Sequence, residues 1–406
     1  MVEKLKGNML IAQSGGPTVV INQSLVGAIL EAKKHNEIKG IYGSLNGIKG
    51  VMEERLIDLK KELLPTLKKV ATTPCAALGS VRKKPTEQDC EVIFNMLQKY
   101  DIRYFFYIGG NDSAETANII NENAKKVNYD FRCFHIPKTI DNDLLENDHT
   151  PGYGSAARFV AMAVMGDNLD NISLPGVKID VIMGRHAGFL VAASALARVN
   201  EGDGPHLIYF PEKPFSKEQF LKDVEDVYAK YGRCLVTVSE GIADENGEAI
   251  AAKFTKEVDT HGNVQLSGTG ILGDILADII RQELKISRVR ADTFGYLQRS
   301  FPALSSEVDA KEAYEVGKLA VKYAISGKID SGSVSIKRKA GKKYYVYYEP
   351  VPLEKVAKNT RSMPAEFINE KGNDVTGKFI DYAEPLVGKL PEIGVLKKYP
   401  VKKVST

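Results

Sequence analysis

The chain has 406 residues, of which 43% are hydrophobic and 26% are charged, as is ordinary for a globular protein. This length exceeds what one hydrophobic core usually serves, so two or more domains are predicted. With 55 Lys and Arg against 52 Asp and Glu, the net charge of +3 gives no general case for binding nucleic acid. No apolar run reaches the roughly 18 residues of a membrane span. The 4 scattered cysteines predict a reduced, cytoplasmic protein.

Short apolar runs predict β-strands, and the amphipathic stretches between them predict helices. The predicted strands are 8–12, 38–43, 102–108, 131–136, 178–183, 206–210 and 234–238. The predicted helices are 18–33, 86–99, 113–126, 187–198 and 216–231. Because strands that alternate with helices are typical of parallel sheets covered on both faces, the predicted fold class is α/β. A polar connection is predicted over 144–157, and a basic hairpin over 335–356.

Polar segments follow five of the predicted strands. These segments are QSGGP at 13–17, GGNDS at 109–113, PKTIDND at 137–143, GRHAG at 184–188 and SEG at 239–241. The carboxyl ends of parallel strands meet at one edge of a sheet, and α/β proteins bind their ligands there. We therefore expect the five segments to form one binding site.

Two of these segments have the glycine content of a phosphate-binding turn. Gly15 and Gly16 stand between a strand and a helix, where small residues let the backbone approach a phosphate closely. A plain tight turn is the alternative. In GGNDS, Asp112 is either a residue facing a ligand or a helix N-cap, with Glu115 three residues later completing a capping box.

The segment PKTIDND is the most specific local signal. Asp141 and Asp143 are two residues apart, and Lys138 and Thr139 precede them. Phosphoryl transfer needs cations to balance charge, a metal on the phosphate oxygens and a base near the acceptor hydroxyl. These four side chains could supply most of those groups. The alternative is an Asx-rich turn with solvated acids.

Further candidates lie later in the chain. Arg185 opens a helix at the end of a strand, where a guanidinium can bind phosphate in a bidentate manner. Glu240 ends a strand and is suited to accepting sugar hydroxyls. Arg290 and Arg299 are nine residues apart with Tyr296 between them, which suits a phosphorylated sugar; a basic surface strand is the alternative.

Together these segments resemble the phosphofructokinase family, in order from SGGP to QRS at 300, and the tail VPLEKVAKNTRSMPAEFI resembles its pyrophosphate-using branch. The resemblance implies two Rossmann-like, three-layer α/β domains with parallel-rich sheets and an active site in the cleft between them. It implies a phosphoryl-donor domain of 1–145, rejoined by about 266–310, and a sugar-phosphate domain of 146–265 with 311–406. A homodimer or homotetramer is expected.

The resemblance also implies an activity: reversible, Mg²⁺-dependent transfer of a phosphoryl group from pyrophosphate to the C1 hydroxyl of fructose 6-phosphate. Asp141 corresponds to the base that takes the hydroxyl proton, with Lys138, Thr139 and Arg185 as further catalytic residues. The implied substrate-binding residues are Gly15, Gly16, Arg82, Gly110, Asn111, Thr139, Asp143, Met183, Gly184, Arg185, Glu240, Arg290, Tyr296 and Arg299.

Several positions depart from the ATP-using members. Asp112 and Lys138 replace glycines, and both changes are typical of pyrophosphate-using relatives. Asn111 stands where many members have a metal-binding aspartate, so Asp112 is the favoured metal ligand and Asn111 the second candidate. Tyr296 stands where bacterial ATP-using relatives often have histidine. Gly176 stands where many members have an arginine.

Two other functions stay open from the sequence. An ATP-dependent 6-phosphofructokinase would share most of these motifs, and only the donor would differ. A non-catalytic phosphosugar-binding paralogue would be expected to have lost the base, whereas Asp141, Thr139 and Asp143 are all present. A kinase for NAD or lipid that shares only a GGD-type loop is a remote alternative.

Overall fold

The computed structural model describes residues 5–253, 270–341 and 343–403. Within these ranges the strands are β1 Gly7–Gln13, β2 Ile38–Ser44, β3 Leu56–Asp58, β4 Ile102–Gly109, β5 Arg132–Pro137, β6 Val177–Ile182, β7 Leu207–Tyr209, β8 Cys234–Ser239, β9 Val289–Thr293, β10 Ser331–Arg338 and β11 Val346–Val351. All of the predicted strands are confirmed to within one residue at each end.

The α-helices in the same ranges are α1 Ile21–Ala32, α2 Gly47–Met52, α3 Leu64–Thr72, α4 Glu87–Lys99, α5 Asn111–Lys126, α6 Tyr153–Ser173, α7 Phe189–Ala193, α8 Lys217–Tyr231, α9 Ile271–Leu284, α10 Leu297–Ser300, α11 Glu307–Ser326, α12 Leu353–Val356 and α13 Gly377–Val387. Short 3₁₀ helices span Leu59–Lys61, Ser194–Ala197, Ile250–Lys253 and Ala365–Phe367. The predicted helices are confirmed as α1, α4, α5, α7 with the 3₁₀ turn after it, and α8.

The larger sheet has the strand order β11-β10-β5-β4-β1-β2-β3. Its strands are parallel except at the two edges, where β3 runs antiparallel to β2 and β11 antiparallel to β10. The second of these pairs is the predicted basic hairpin. The central strand β4 is covered on both faces, and its residues 104–108 are at most 1% exposed. This explains why it reads as an unbroken apolar run.

Helices cover both faces of the larger sheet. The apolar side chains of α1 and α11 pack on one face, and those of α4 and α5 pack on the other. The helices α1 and α11 approach each other closely through two glycines. A Cβ on Gly27 would lie 2.2 Å from the carbonyl oxygen of Tyr314, and one on Gly317 would lie 2.0 Å from that of Ser24. A larger residue at either glycine would therefore push the helices apart.

The smaller sheet has the order β7-β8-β6-β9, and all its strands are parallel. Helices α6 and α7 pack on one face and α8 and α9 on the other. Both sheets are thus the centre of three layers, which confirms the predicted α/β architecture. The predicted polar connection 144–157 is shorter than expected, because α6 begins at Tyr153.

The assignment of chain segments to the two sheets differs from the predicted assignment. Strand β9, in the segment 266–310, pairs with β6 in the smaller sheet, whereas α11 and β10 return the chain to the larger sheet. Local sequence patterns do not encode such long-range pairing. The predicted boundary between 265 and 266 lies outside the described residues. The division into a donor domain and a sugar-phosphate domain stays a prediction.

The chain passes between the two sheets three times. It crosses from β5 to β6, returns from β9 to β10, and crosses again after β11. After the third crossing, the backbone N–H of Ile208 in β7 donates to the carbonyl oxygen of Asn373 at 2.9 Å. The last described segment also contributes α13, which packs with α6. Among the described helices, none combines the length and the apolar character needed to cross a membrane.

Candidate active site

Two adjoining cavities, with volumes of about 510 and 310 Å³, lie at the carboxyl ends of the parallel strands. The larger cavity is lined by Ser14, Gly15, Gly16, Val81, Arg82, Lys83, Lys84, Gly110, Asn111, Asp112, Ser113, Lys138, Thr139, Asp141 and Asp143. The smaller cavity is lined by Gly16, Pro17, Arg82, Asp112, Lys138, Thr139, Ile140, Asp141, Met183, Arg185, His186, Glu240 and Arg299. Because several residues line both, the two cavities form one cleft between the sheets. The five polar segments therefore meet as predicted.

Two cationic side chains lie over the glycine turn after β1. A Cβ on Gly15 would lie 3.2 Å from Nζ of Lys138, and one on Gly16 would lie 2.5 Å from Nη1 of Arg299. Gly15 also has a φ of +74°, which disfavours side chains. Two features therefore favour glycine in this turn: its backbone conformation and the close approach of two cations.

The turn of residues 80–82 is tied to the same glycines. The Gly15 N–H donates to the carbonyl oxygen of Val81 at 3.1 Å, and the Ser80 hydroxyl donates to the carbonyl oxygen of Gly15 at 2.6 Å. These bonds hold Arg82 at the border of both cavities. Three cations thus surround the turn: Arg82, Lys138 and Arg299.

Asp112 is not the N-cap of the helix that follows β4. Helix α5 begins at Asn111, its N-cap is Gly110, and no side chain caps it. The capping-box alternative is therefore wrong, and Glu115 instead forms an ion pair with Lys84 at 2.5 Å. Asp112 lies in the first turn of α5, where its exposed carboxylate lines both cavities.

Oxygen atoms suited to a divalent cation lie along one wall of the larger cavity. The side-chain amide of Asn111 donates from Nδ2 to Oδ2 of Asp143 at 3.1 Å. Its Oδ1 is buried and has no hydrogen-bond partner within the described part of the chain. Asp112 and Asp143 line the same cavity. One amide oxygen and two carboxylates match the ligands that hard cations prefer.

The acids and the lysine of PKTIDND have perturbed pKa values. Burial, and next the positive charge of Arg299, lowers the pKa of Lys138 to about 7. Desolvation, and next the negative charge of Asp141, raises the pKa of Asp143 to about 7. Desolvation also raises the pKa of Asp141, which the charges of Lys138 and Arg299 oppose. The segment therefore holds groups poised for proton transfer near neutral pH.

Close backbone packing positions the residues contributed by the smaller sheet. A Cβ on Gly241 would lie 2.0 Å from the carbonyl oxygen of Arg185, so the SEG and GRHAG segments are in contact. The Ser239 hydroxyl donates to the carbonyl oxygen of Gly184 at 2.6 Å. Gly184 itself lines neither cavity, whereas Arg185 and the 6% exposed Glu240 line the smaller one.

A buried glutamine is a site residue that the sequence did not reveal. The backbone N–H of Met183 donates to Oε1 of Gln298 at 3.1 Å, and Gln298 is 1% exposed. This bond ties the loop after β6 to the segment that carries Arg299. Further lining residues that were not predicted are Ser14, Pro17, Val81, Lys84, Ser113, Ile140 and His186. Most are direct neighbours of predicted residues, which is the signal that could have found them.

Besides Gly184, two predicted substrate-binding residues line neither cavity. Arg290 lies near the start of β9, opposite Lys178 of β6, and strand starts lie at the sheet edge away from the cavities. Its exposed guanidinium donates to the carbonyl oxygen of Val289 at 2.9 Å. Tyr296 is 48% exposed, and the Arg299 guanidinium lies 4.6 Å from the centre of its ring. Within one chain, both side chains are placed outside the cleft.

Lys178 does not replace the arginine that is missing at Gly176. Its ammonium group lies 3.5 Å from Asp167 and 3.9 Å from Asp180, and it also bonds Asp292. These three acids form the one His, Cys, Asp and Glu cluster of metal-binding geometry in the described ranges. None of the three lines either cavity. The acidic cluster is therefore a separate ion-pair network.

Residues 8–324 match the family model described as Phosphofructokinase, which is most of the chain. The chain belongs to the phosphofructokinase family. A relative from Rhodospirillum rubrum, named pyrophosphate–fructose 6-phosphate 1-phosphotransferase, is 53% identical over 402 residues that cover 98% of this chain and 99% of the relative. A relative from Halomonas elongata with the same name is 36% identical over 417 residues, covering 98% of this chain and 97% of that protein.

A solved structure shows the same fold. The crystal structure of the pyrophosphate-dependent phosphofructokinase from Marinobacter aquaeolei superposes with a TM-score of 0.84 at 35% sequence identity, covering 98% of both chains. The family match ends at 324, so β10, β11 and the segment after them lie beyond it. That last segment nevertheless contacts the PKTIDND loop, because the backbone N–H of Arg361 donates to the carbonyl oxygen of Asp143 at 2.8 Å.

Proposed function

We propose that the protein transfers a phosphoryl group reversibly from pyrophosphate to the C1 hydroxyl of fructose 6-phosphate, giving fructose 1,6-bisphosphate and phosphate. The observation that supports this donor most is the pair of side chains at the border of the two cavities. Lys138 is 3% exposed and lies against the Gly15 turn, and the carboxylate of Asp112 enters both cavities. Two relatives that each cover 98% of this chain are named pyrophosphate–fructose 6-phosphate 1-phosphotransferase.

The larger cavity supplies what a small polyanionic donor needs. Arg82 and Lys138 line this cavity beside the glycine turn, and the N-terminus of α5, where the first backbone N–H groups of a helix have no intrahelical partner, lines it too. Pyrophosphate would be held by these cations and amides. A nucleotide would have to pass the Asp112 carboxylate, which adds bulk and a like charge beside its phosphates.

The smaller cavity supports binding of the sugar phosphate. Glu240 is placed to accept sugar hydroxyls, and Arg185 and Arg299 offer guanidinium groups to phosphate oxygens. Asp141 lines both cavities, so it lies between donor and acceptor. In the proposed step it accepts the C1 hydroxyl proton while the hydroxyl oxygen bonds the phosphorus atom, and phosphate leaves with the bridging electron pair.

The cation of the reaction is proposed to be Mg²⁺. The Oδ1 of Asn111, which has no hydrogen-bond partner among the described residues, and the carboxylates of Asp112 and Asp143 fit a small cation with oxygen ligands. These residues would hold it. When bound, Mg²⁺ neutralises charge on the transferred phosphate group.

Comparing donors on the purified protein tests the proposal. We expect turnover with pyrophosphate to exceed turnover with ATP at matched concentrations, and fructose 1,6-bisphosphate with phosphate to regenerate pyrophosphate. Faster turnover with ATP would establish the ATP-dependent alternative. Binding of fructose 6-phosphate without turnover of either donor would instead favour a regulatory paralogue.

The metal ligands predict different effects of two substitutions. We expect Asp112→Asn to raise the half-saturating Mg²⁺ concentration by about tenfold, and more than Asn111→Ala, because an ionised carboxylate binds Mg²⁺ better than an amide. Initial rates at fixed substrate over a Mg²⁺ titration measure this. Glu122→Gln in the same helix is the control, since Glu122 pairs with Lys125 at 2.8 Å and neither residue lines either cavity. A larger effect at Asn111 would reverse the assignment.

The pKa of Lys138 predicts how donor affinity depends on pH. Because its pKa is lowered to about 7, the ammonium group of the free protein loses its proton as the pH rises through 7. Pyrophosphate binding needs the cation, so we expect its KM to rise above pH 7 by about tenfold per pH unit. Measuring KM on either side of pH 7 tests this.

Lys138→Met is the matched variant for the pH experiment. It keeps most of the length of the unbranched side chain but cannot titrate, so its KM for pyrophosphate should be high and should follow only the titration of the ligand itself. The KM for fructose 6-phosphate serves as the internal control. Equal pH dependence in the two proteins would show that Lys138 is not the titrating group.

We also infer a homodimer or homotetramer located in the cytoplasm. Leu169, Ile172 and Leu174 expose apolar surface on and just after α6. Arg290 is also exposed, and it lies opposite Lys178 of the neighbouring strand β6. An interface there would let Arg290 of one protomer approach the site of its partner. Sedimentation equilibrium with Leu169→Glu tests the interface, which should dissociate in that variant.

A further inference from the structure

The loop that carries the two acids of PKTIDND depends on a buried asparagine. Asn142 stands between Asp141 and Asp143, is 0% exposed and has a φ of +59°. Its Oδ1 accepts from the backbone N–H of Thr150 at 3.1 Å, and its Nδ2 donates to the Tyr382 hydroxyl at 2.7 Å. A left-handed residue held by both ends of its amide fixes the direction in which its neighbours point.

Arg361 binds the backbone of this loop directly. Its Nε donates to the carbonyl oxygen of Asn142 at 2.8 Å. Its two terminal nitrogens donate to the carbonyl oxygens of Asn147 and Asp148, each at 2.6 Å. Its own backbone N–H donates to the carbonyl oxygen of Asp143 at 2.8 Å. One residue therefore satisfies four carbonyl groups, two of them within the acid-bearing loop.

The segment around Arg361 is itself well anchored. The guanidinium lies 4.9 Å from the centre of the Phe189 ring, and Thr360 forms a β-bridge with Leu144. The Tyr382 hydroxyl, which accepts from Asn142, also donates to the carbonyl oxygen of Asp148 at 2.8 Å. These contacts come from a segment beyond the family match, so they are not part of the predicted catalytic motifs.

We propose that Arg361 is a positioning residue that holds Asp141 and Asp143 in the geometry required for phosphoryl transfer. The inference rests on the proposed function, because it assigns a role within that reaction. Arg361 lines neither cavity, so it acts through the loop backbone rather than on a substrate. Its planar group can reach three carbonyl oxygens at once, which a lysine ammonium on a flexible stem cannot reproduce in the same directions.

Arg361→Lys tests the role, because it keeps the positive charge and most of the side-chain volume. We expect kcat to fall by on the order of a hundredfold, since displacing a catalytic group by about 1 Å can cost that much. The KM for fructose 6-phosphate should change by less than about threefold, because Arg185, Glu240 and Arg299 are untouched. A merely structural role would lower the amount of folded protein without this separation of kcat from KM.

Arg158→Lys is the matched control. Arg158 also donates its guanidinium to backbone carbonyl oxygens of the C-terminal segment, those of Val387 and Lys389, at 3.0 and 2.7 Å. It does not contact the loop of residues 137–143, so its variant should keep the kcat of the unsubstituted protein. An equal loss of kcat in both variants would overturn the proposal.

A second loop variant keeps the test decisive if Arg361→Lys does not fold. Tyr382→Phe removes the hydroxyl that contacts Asn142 while keeping the ring, and we expect a loss of kcat of about tenfold or more with little change in KM. Unchanged kcat in folded Arg361→Lys, or in Tyr382→Phe where Arg361→Lys does not fold, would refute the inference. If the unsubstituted protein does not use pyrophosphate at all, the proposed function fails instead, so the two failures are distinguishable.

Discussion

Replacing Asp141 by asparagine is expected to lower kcat for phosphoryl transfer by on the order of 10³-fold or more. The substitution keeps the shape of the side chain and removes its ability to accept the C1 hydroxyl proton. Asp112 and Asp141 are the two carboxylates among the described residues that line both cavities, and Asp141 is the one in the same segment as Lys138 and Thr139. Steady-state kinetics in both reaction directions measures the loss.

Binding of the sugar should survive this substitution. Isothermal titration of fructose 6-phosphate into Asp141→Asn is expected to give a Kd within about threefold of the unsubstituted value, because the groups proposed to hold the sugar are unchanged. Asp330→Asn is the control for loss of a carboxylate, since Asp330 pairs with Arg132 at 2.8 Å away from the cleft. Retention of normal turnover by Asp141→Asn would exclude it as the base.

Combining Asp112→Gly with Lys138→Gly is expected to change the donor preference. The double variant should lose pyrophosphate-dependent turnover by on the order of a hundredfold, because the cation over the Gly15 turn is gone. It should also gain ATP-dependent turnover, because removing the Asp112 carboxylate opens the path past the first turn of α5 and removes a like charge. The ratio of kcat/KM for the two donors is the quantity to measure.

The two single variants separate the contributions. Lys138→Gly alone should impair pyrophosphate use without admitting ATP, since the carboxylate remains. Asp112→Gly alone should admit ATP weakly and weaken Mg²⁺ binding. A donor ratio that stays the same in all three variants would show that the selection of pyrophosphate does not depend on these positions.

The parallel strands were predictable because burial on both faces removes polar residues from them. The run of residues 104–108 is apolar for this reason, and its position at the centre of the larger sheet follows from it. The placement of β9 and β10 was not predictable in the same way. Both are partly polar strands, and the sheet that each joins depends on pairing with residues more than a hundred positions away.

The candidate site, like the fold, could be predicted from the sequence only in part. The five polar segments could be grouped from the sequence alone, because the geometry of parallel sheets brings strand ends together. The contacts that orient these segments could not be predicted from the sequence. Gln298 and Arg361 act through backbone groups, and a backbone N–H or carbonyl has no signature in the sequence. Arg290 and Tyr296 lie outside the cleft of one chain, so their predicted roles require a neighbouring protomer.

The three passages of the chain between its sheets bear on how the enzyme chooses its donor. Two lobes that share a single linker swing freely, and such enzymes can select a substrate by closing on it. Here any opening must move three connections together, and the last of them is hydrogen-bonded to the loop that carries Asp141 and Asp143. We therefore expect the width of the cleft to change little when a ligand binds. Selection of the donor then depends on the side chains that line the cleft before binding, and replacing those side chains should be enough to alter it.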